Sequence, residues 1–170
     1  MSKYYVLLLL ITVNQTHAAT YEEALQVYNS LKNGDRFECV TIFEPKGIGM
    51  PSVNTLTALV LEKKPGLFLF DVNDSSSYDG NIFFSSTYRS MSTLTEKGYY
   101  YDIFPETYDV KKSLSLEAKN EMIDFIKGNN KIFINYENVT FSDYNHYTQV
   151  NNIKSEYFKP DSISKCTIYN

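Results

Sequence analysis

Two strand-forming runs joined by a tight turn constrain this chain most. Val53 to Glu62 is rich in β-branched residues and leucine, and Leu67 to Val72 is a near-continuous apolar run. Lys63-Lys64-Pro65-Gly66 stands between them. Proline fixes φ at one corner of a turn and glycine accepts positive φ at the next, so the two runs read as a hairpin. A hairpin makes antiparallel sheet, and similar punctuation recurs along the chain.

Arg36 to Phe43 reads as a strand with Phe37, Cys39, Thr41 and Phe43 on one face. Pro45 to Pro51 is a Gly/Pro loop. Asn73 to Gly80 is polar and serine-rich, reads as a loop, and ends in an Asp-Gly turn signal. Asn81 to Ser86 is a short strand, and Glu96-Lys97-Gly98 is a turn leading into Tyr99 to Phe104, closed by Pro105. Lys131 to Thr140 and Tyr144 to Phe158 form a C-terminal hairpin about Ser142-Asp143, and Ser164 to Tyr169 is a last strand carrying Cys166.

Two helices interrupt this pattern. Thr20-Tyr21-Glu22-Glu23 is a capping box, followed by apolar residues at Ala24, Val27, Tyr28 and Leu31. Asn33-Gly34 has the chemistry of a helix end, which gives about 12 residues. Ser115 caps a second helix with Ala118, Met122, Phe125 and Ile126 on its apolar side, and Gly128 stops it. The fold class is α+β, β-dominated and antiparallel, with an N-terminal helix and one later helix. A sandwich, an open barrel, or a curved sheet with helices on one side all satisfy the pattern.

Residues 1–19 stand apart. Lys3 precedes an apolar run from Tyr4 to Val13, and Ala18-Ala19 follows a short polar stretch. That is the layout of a signal peptide, and the run is shorter than the roughly 20 residues a membrane-spanning helix needs. The expectation is a secreted or periplasmic chain with no transmembrane segment and a single domain over residues 20–170. Loss of Lys3 moves the formal net charge from -4 to -5. An acidic chain lacks the clustered Lys and Arg that neutralise phosphates, which argues against nucleic acid as a partner.

Cys39 and Cys166 are the two cysteines of the 170 residues. In an exported chain an even pair reads as a disulfide, closing a loop long enough to contribute about 4–5 kcal/mol in the chain-entropy model. His146 is the sole histidine once His17 leaves. Metal sites and Ser-His-Asp catalysis draw on more than that; Asp143 beside it has no nucleophile-elbow motif to serve. Asp71, Asn73, Asp74 and Asp79 crowd one polar stretch, but Ser76 and Ile82 stand where a calcium loop needs Gly and Glu. No metal and no cofactor is expected. Asn73-Asp74-Ser75 and Asn138-Val139-Thr140 fit the N-glycosylation pattern, which matters if the source is eukaryotic.

The 15 tyrosines are the most suggestive group. Tyr99, Tyr100 and Tyr101 are contiguous and must face both sides of a strand. Tyr136, Tyr144, Tyr147 and Tyr157 crowd the C-terminal hairpin. An apolar body with a polar tip suits a partly exposed binding surface. Leu31 to Phe37, continued by Val40-Thr41-Ile42, resembles the opening of the VirK-like family of exported proteins. The cysteine that family has after its first strand is absent, with Lys46-Gly47 in the region. A lipocalin is excluded by the absence of its Gly-x-Trp, since the chain has no tryptophan. The functional expectation is a secreted non-catalytic binding or interaction protein for a small apolar ligand or a protein partner. The alternative is a small extracellular hydrolase using carboxylates.

Overall fold

A computed structural model describes residues 19–43, 52–136, 139–142, 147–151 and 163–169. Helix α1 (Tyr21–Ser30) begins at the expected capping box. Thr20 Oγ1 accepts from the Glu23 amide at 3.2 Å, and the Thr20 amide donates to Glu23 Oε2 at 2.8 Å. The helix is 10 residues long and ends before Asn33-Gly34, with Leu31 already extended. Two groups stop it early. Lys63 Nζ donates to the carbonyls of Asn29 and Leu31 at 3.2 and 2.9 Å, and Asp35 accepts from the Lys32 amide at 2.7 Å. Gly34, at φ +92°, serves the turn that follows.

The described strands are β1 (Arg36–Phe43), β2 (Ser52–Lys64), β3 (Leu67–Tyr78), β4 (Asn81–Thr95), β5 (Gly98–Ile103), β6 (Asp109–Lys112), β7 (Lys131–Asn135), β8 (Val139–Ser142), β9 (Tyr147–Asn151) and β10 (Ile163–Tyr169). They form one antiparallel sheet in the order β7-β5-β4-β3-β2-β1-β10-β9-β8, with β6 also on β4. The β2–β3 hairpin turns at Pro65-Gly66 as expected, with Gly66 at φ +71°.

Two sequence expectations fail. The run from Lys131 to Thr140 is not one strand of a hairpin: β7 pairs with β5, and β8 pairs with β9. The stretch from Asn73 to Gly80 is not a loop: β3 continues through it to Tyr78, and β4 runs 15 residues rather than stopping at Ser86. Paired strands on both sides satisfy the backbone of β3 along its length, whatever its side chains. Only Asp79-Gly80 turns, with φ of +48° and +74°, the paired positive values of a type I′ hairpin.

Pro105–Thr107 forms a 3₁₀ turn that splits one edge into two pieces. β5 pairs with Ser90 to Thr95 of β4, and β6 pairs with Ser85 to Thr87. Helix α2 (Leu116–Gly128) follows, capped by Ser115 Oγ, which accepts from the Ala118 amide at 3.1 Å. It buries Ile126 and holds β6 through Lys119 Nζ, 2.9 Å from the Val110 carbonyl.

Connectivity dictates curvature. β7 and β8 lie at opposite ends of the strand order, yet Asn135 and Val139 are joined by three residues. Four Cα steps reach at most about 15 Å. A flat sheet would separate those strands by eight spacings of roughly 4.8 Å, close to ~38 Å. The sheet therefore curls until its two edges approach, leaving a concave face. Its core joins Tyr28 of α1 and Leu31 just after it to Ala58, Val60, Phe68, Phe70, Val72, Tyr88, Ile103 and Ile126.

Candidate binding face

Along β3 the side chains that face the core are Phe68, Phe70 and Val72, all buried. Their alternation continues in phase to Asp74 and Ser76. α1 covers the start of this row: the Tyr28 and Phe68 rings are 4.2 Å apart, and the Tyr28 hydroxyl bonds the Leu67 amide and carbonyl, both at 3.3 Å. Six residues at about 3.3 Å each place Asp74 roughly 20 Å along the strand from Phe68. The concave face is thus apolar beneath α1 and polar at its other end.

The sheet register assembles that polar end. Asp74 is paired with Leu56 on β2 and with Ser86 on β4. Asn54 Nδ2 donates to Asp74 Oδ1 at 2.6 Å and to Ser76 Oγ at 3.3 Å. On β4, Ser86, Tyr88 and Ser90 follow one another inward, 1%, 7% and 0% exposed. The Tyr101 hydroxyl donates to that of Tyr88 at 3.3 Å, and the Tyr88 and Tyr108 rings lie 5.5 Å apart. Ser86 and Ser90 stand close enough to Tyr108 and Tyr101 to favour their ionised forms, without making a well-formed hydrogen bond.

Burial raises the pKa of Asp74, and the bonds from Asn54 and the Ser75 backbone offset this only in part. Burial also raises Tyr88 and Tyr108, and pushes Tyr101 up to about 12. The charge of Asp74 adds to the rise at all three tyrosines, so all three lie within its field. Among the described strand side chains of this face, Asp74 is the one carboxylate.

The convex face is different. Asp71, Asn73, Thr87, Arg89 and Thr107 border an open recess of about 400 Å³. Arg89 Nε lies 3.1 Å from Asp71 Oδ1, both half-exposed, a surface ion pair of little energetic weight. Asp71 and Asp74 point to opposite faces of β3. The acidic stretch therefore makes no calcium loop, and no group of three or more His, Cys, Asp or Glu able to hold a metal occurs among the described residues.

The tyrosines picked out from the sequence divide. Tyr100 is 36% exposed on the convex face, its ring 4.9 Å from Phe133 and 4.8 Å from Lys131 Nζ. Tyr99 and Tyr101 turn inward, where burial raises Tyr99 as it does Tyr101. Tyr136 is 5% exposed and donates to the Thr95 carbonyl at 2.8 Å. Tyr147 lies on β9, paired with Thr167 and Ser142. Tyr144, Tyr157, Asn138, Asp143 and His146 lie outside the described residues. Asn73 is exposed on β3. Cys39 and Cys166 are direct partners in the β1–β10 register.

Asn54, Asp74, Ser86, Tyr88, Ser90 and Tyr108 were not legible as a group in the sequence. The signal that points to Asp74 is the phase of β3: every second residue from Phe68 reaches it. No helix among the described residues is long and apolar enough to cross a membrane. No known protein family matches the sequence, and no curated protein matches it either.

Proposed function

We propose that this chain is a secreted, non-catalytic binding protein that holds a small, partly apolar ligand on the concave face of its curled sheet. The observation that supports this reading is the change along that face, from phenylalanine and valine beneath α1 to hydroxyl and carboxylate groups around Asp74. Ligand pockets combine such apolar lining with a few placed polar groups. The Cys39–Cys166 disulfide belongs to the same proposal. Directly paired antiparallel residues lie about 4.5–5.5 Å apart at Cα, inside the range a disulfide spans. The bridge would fasten β10, and through it β9 and β8, to the first half of the sheet.

A carboxylate hydrolase needs two acids across one cleft. Among the described strand side chains the concave face carries one, Asp74, and what supports the binding reading is the apolar-to-polar change along that face. Titration with the fluorescent apolar reporter N-phenyl-1-naphthylamine tests it. The expected result is saturable binding at one reporter per chain, lost in Tyr88→Trp, which fills the face. Non-saturable partitioning, or binding unchanged in that variant, would count against the concave face as the site.

A further inference from the structure

We propose that Asp74 anchors the ammonium group of a small amphipathic amine whose apolar body lies along the tyrosine-lined concave face. The proposal rests on the binding reading above and names the class of ligand.

Three observations carry it. First, Asp74 is a half-buried carboxylate that forms no ion pair among the described residues. Removing a carboxylate from water is costly unless a cation or several hydrogen bonds replace the solvent, and Asp74 has two neutral donors, Asn54 and the Ser75 backbone, with no cation among the described residues. Second, Ser86 is paired directly with Asp74, is 1% exposed, and its hydroxyl has no well-formed hydrogen bond. An ammonium group has three donors, so it can satisfy a carboxylate oxygen and still donate to hydroxyls beside it. Third, Tyr88, Tyr101 and Tyr108 all lie within the field of Asp74. Aromatic faces attract a cation, most strongly where water is excluded.

The same facts select against a divalent metal. Calcium takes six to eight oxygens, usually several of them carboxylates, and this face offers one acid among the described residues. An amine asks for one negative charge and for apolar contact. Leu56, paired with Asp74 on β2 and partly buried, provides that contact beside the anchor.

Calorimetric titration of the full secreted chain with three compounds of one shape tests the proposal. They are 2-phenylethylamine, neutral 2-phenylethanol and anionic 3-phenylpropanoate. The expected order is amine tightest, with the alcohol weaker by about tenfold or more, since hydrogen bonds to charged groups exceed neutral ones by that measure. Asp74→Asn is expected to weaken the amine by about tenfold and leave the alcohol unchanged, with Ser86→Ala costing the amine a few-fold. Alcohol or carboxylate binding as tightly as the amine would overturn the amine assignment while leaving the binding reading intact. Failure of all three would overturn it as well, and the naphthylamine reporter then shows separately whether the binding reading survives. The three-compound order on the unmodified chain decides the matter even if a variant does not fold.

Discussion

Asp74 and Ser86 face each other across β3 and β4, a half-buried carboxylate opposite a hydroxyl that is 1% exposed. With Asn54 2.6 Å from the carboxylate, they put a polar cluster on a face whose other end is packed with phenylalanine.

The first prediction concerns the cost of Asp74. Its pKa is raised in the folded state, chiefly by burial. The folded chain then binds more protons than the unfolded chain just above the ordinary aspartate range, so stability falls as pH rises through that window. Asp74→Asn keeps an oxygen for Asn54 and removes the charge. Without ligand, the variant is expected to be at least as stable as the parent at pH 7, with the difference closing toward about pH 3. Urea unfolding at both pH values checks this, and a clearly less stable variant at pH 7 would contradict it.

Gly98 tests the seam between β5 and β7. A Cβ there would collide with the Ile134 carbonyl oxygen and stand 3.0 Å from the Asn135 Cα. Neither backbone group can move without breaking the ladder. Gly98→Ala is expected to destabilise the chain by about 1–3 kcal/mol, read from denaturant midpoints.

Tyr28 is the link between α1 and β3. Its hydroxyl bonds both backbone groups of Leu67, and its ring is 4% exposed against Phe68. Tyr28→Phe should cost about 1 kcal/mol, the net value of a hydrogen bond, and Tyr28→Ala about 3–5 kcal/mol. Equal losses in the two variants would show that the ring contributes no packing.

The cysteine pair predicts that intact-mass measurement of the secreted chain, alkylated without reduction, finds no modified thiol. Replacing both cysteines with serine is expected to cost about 2–5 kcal/mol. Two alkylated thiols would refute the bridge.

The order of these elements was largely legible in the sequence. Thr20-Glu23 and Ser115 start their helices because side-chain capping is local chemistry, and Pro65-Gly66 turns because its φ values are fixed locally. The strand from Asn73 to Tyr78 was not legible. Its pairing comes from β2 and β4, both distant in sequence, and its serines carry no hydropathy contrast between the two faces. For the same reason the candidate site was missed. Asp74, Ser86 and Tyr108 come from three strand regions that only the sheet register brings together. Of the contiguous tyrosines, Tyr99 packs inward, partly buried, and Tyr100 points outward.

The most direct test of a ligand on the concave face is tyrosine-ring NMR during titration with 2-phenylethylamine, with resonances assigned by single Tyr→Phe variants. Tyr88, Tyr101 and Tyr108 line the face, while Tyr100 and Tyr169 are 36% and 52% exposed outside it. The first three rings are predicted to shift together and saturate, with the last two unmoved. Shifts confined to Tyr100 and Tyr169 would place any ligand on the outer surface and contradict the account.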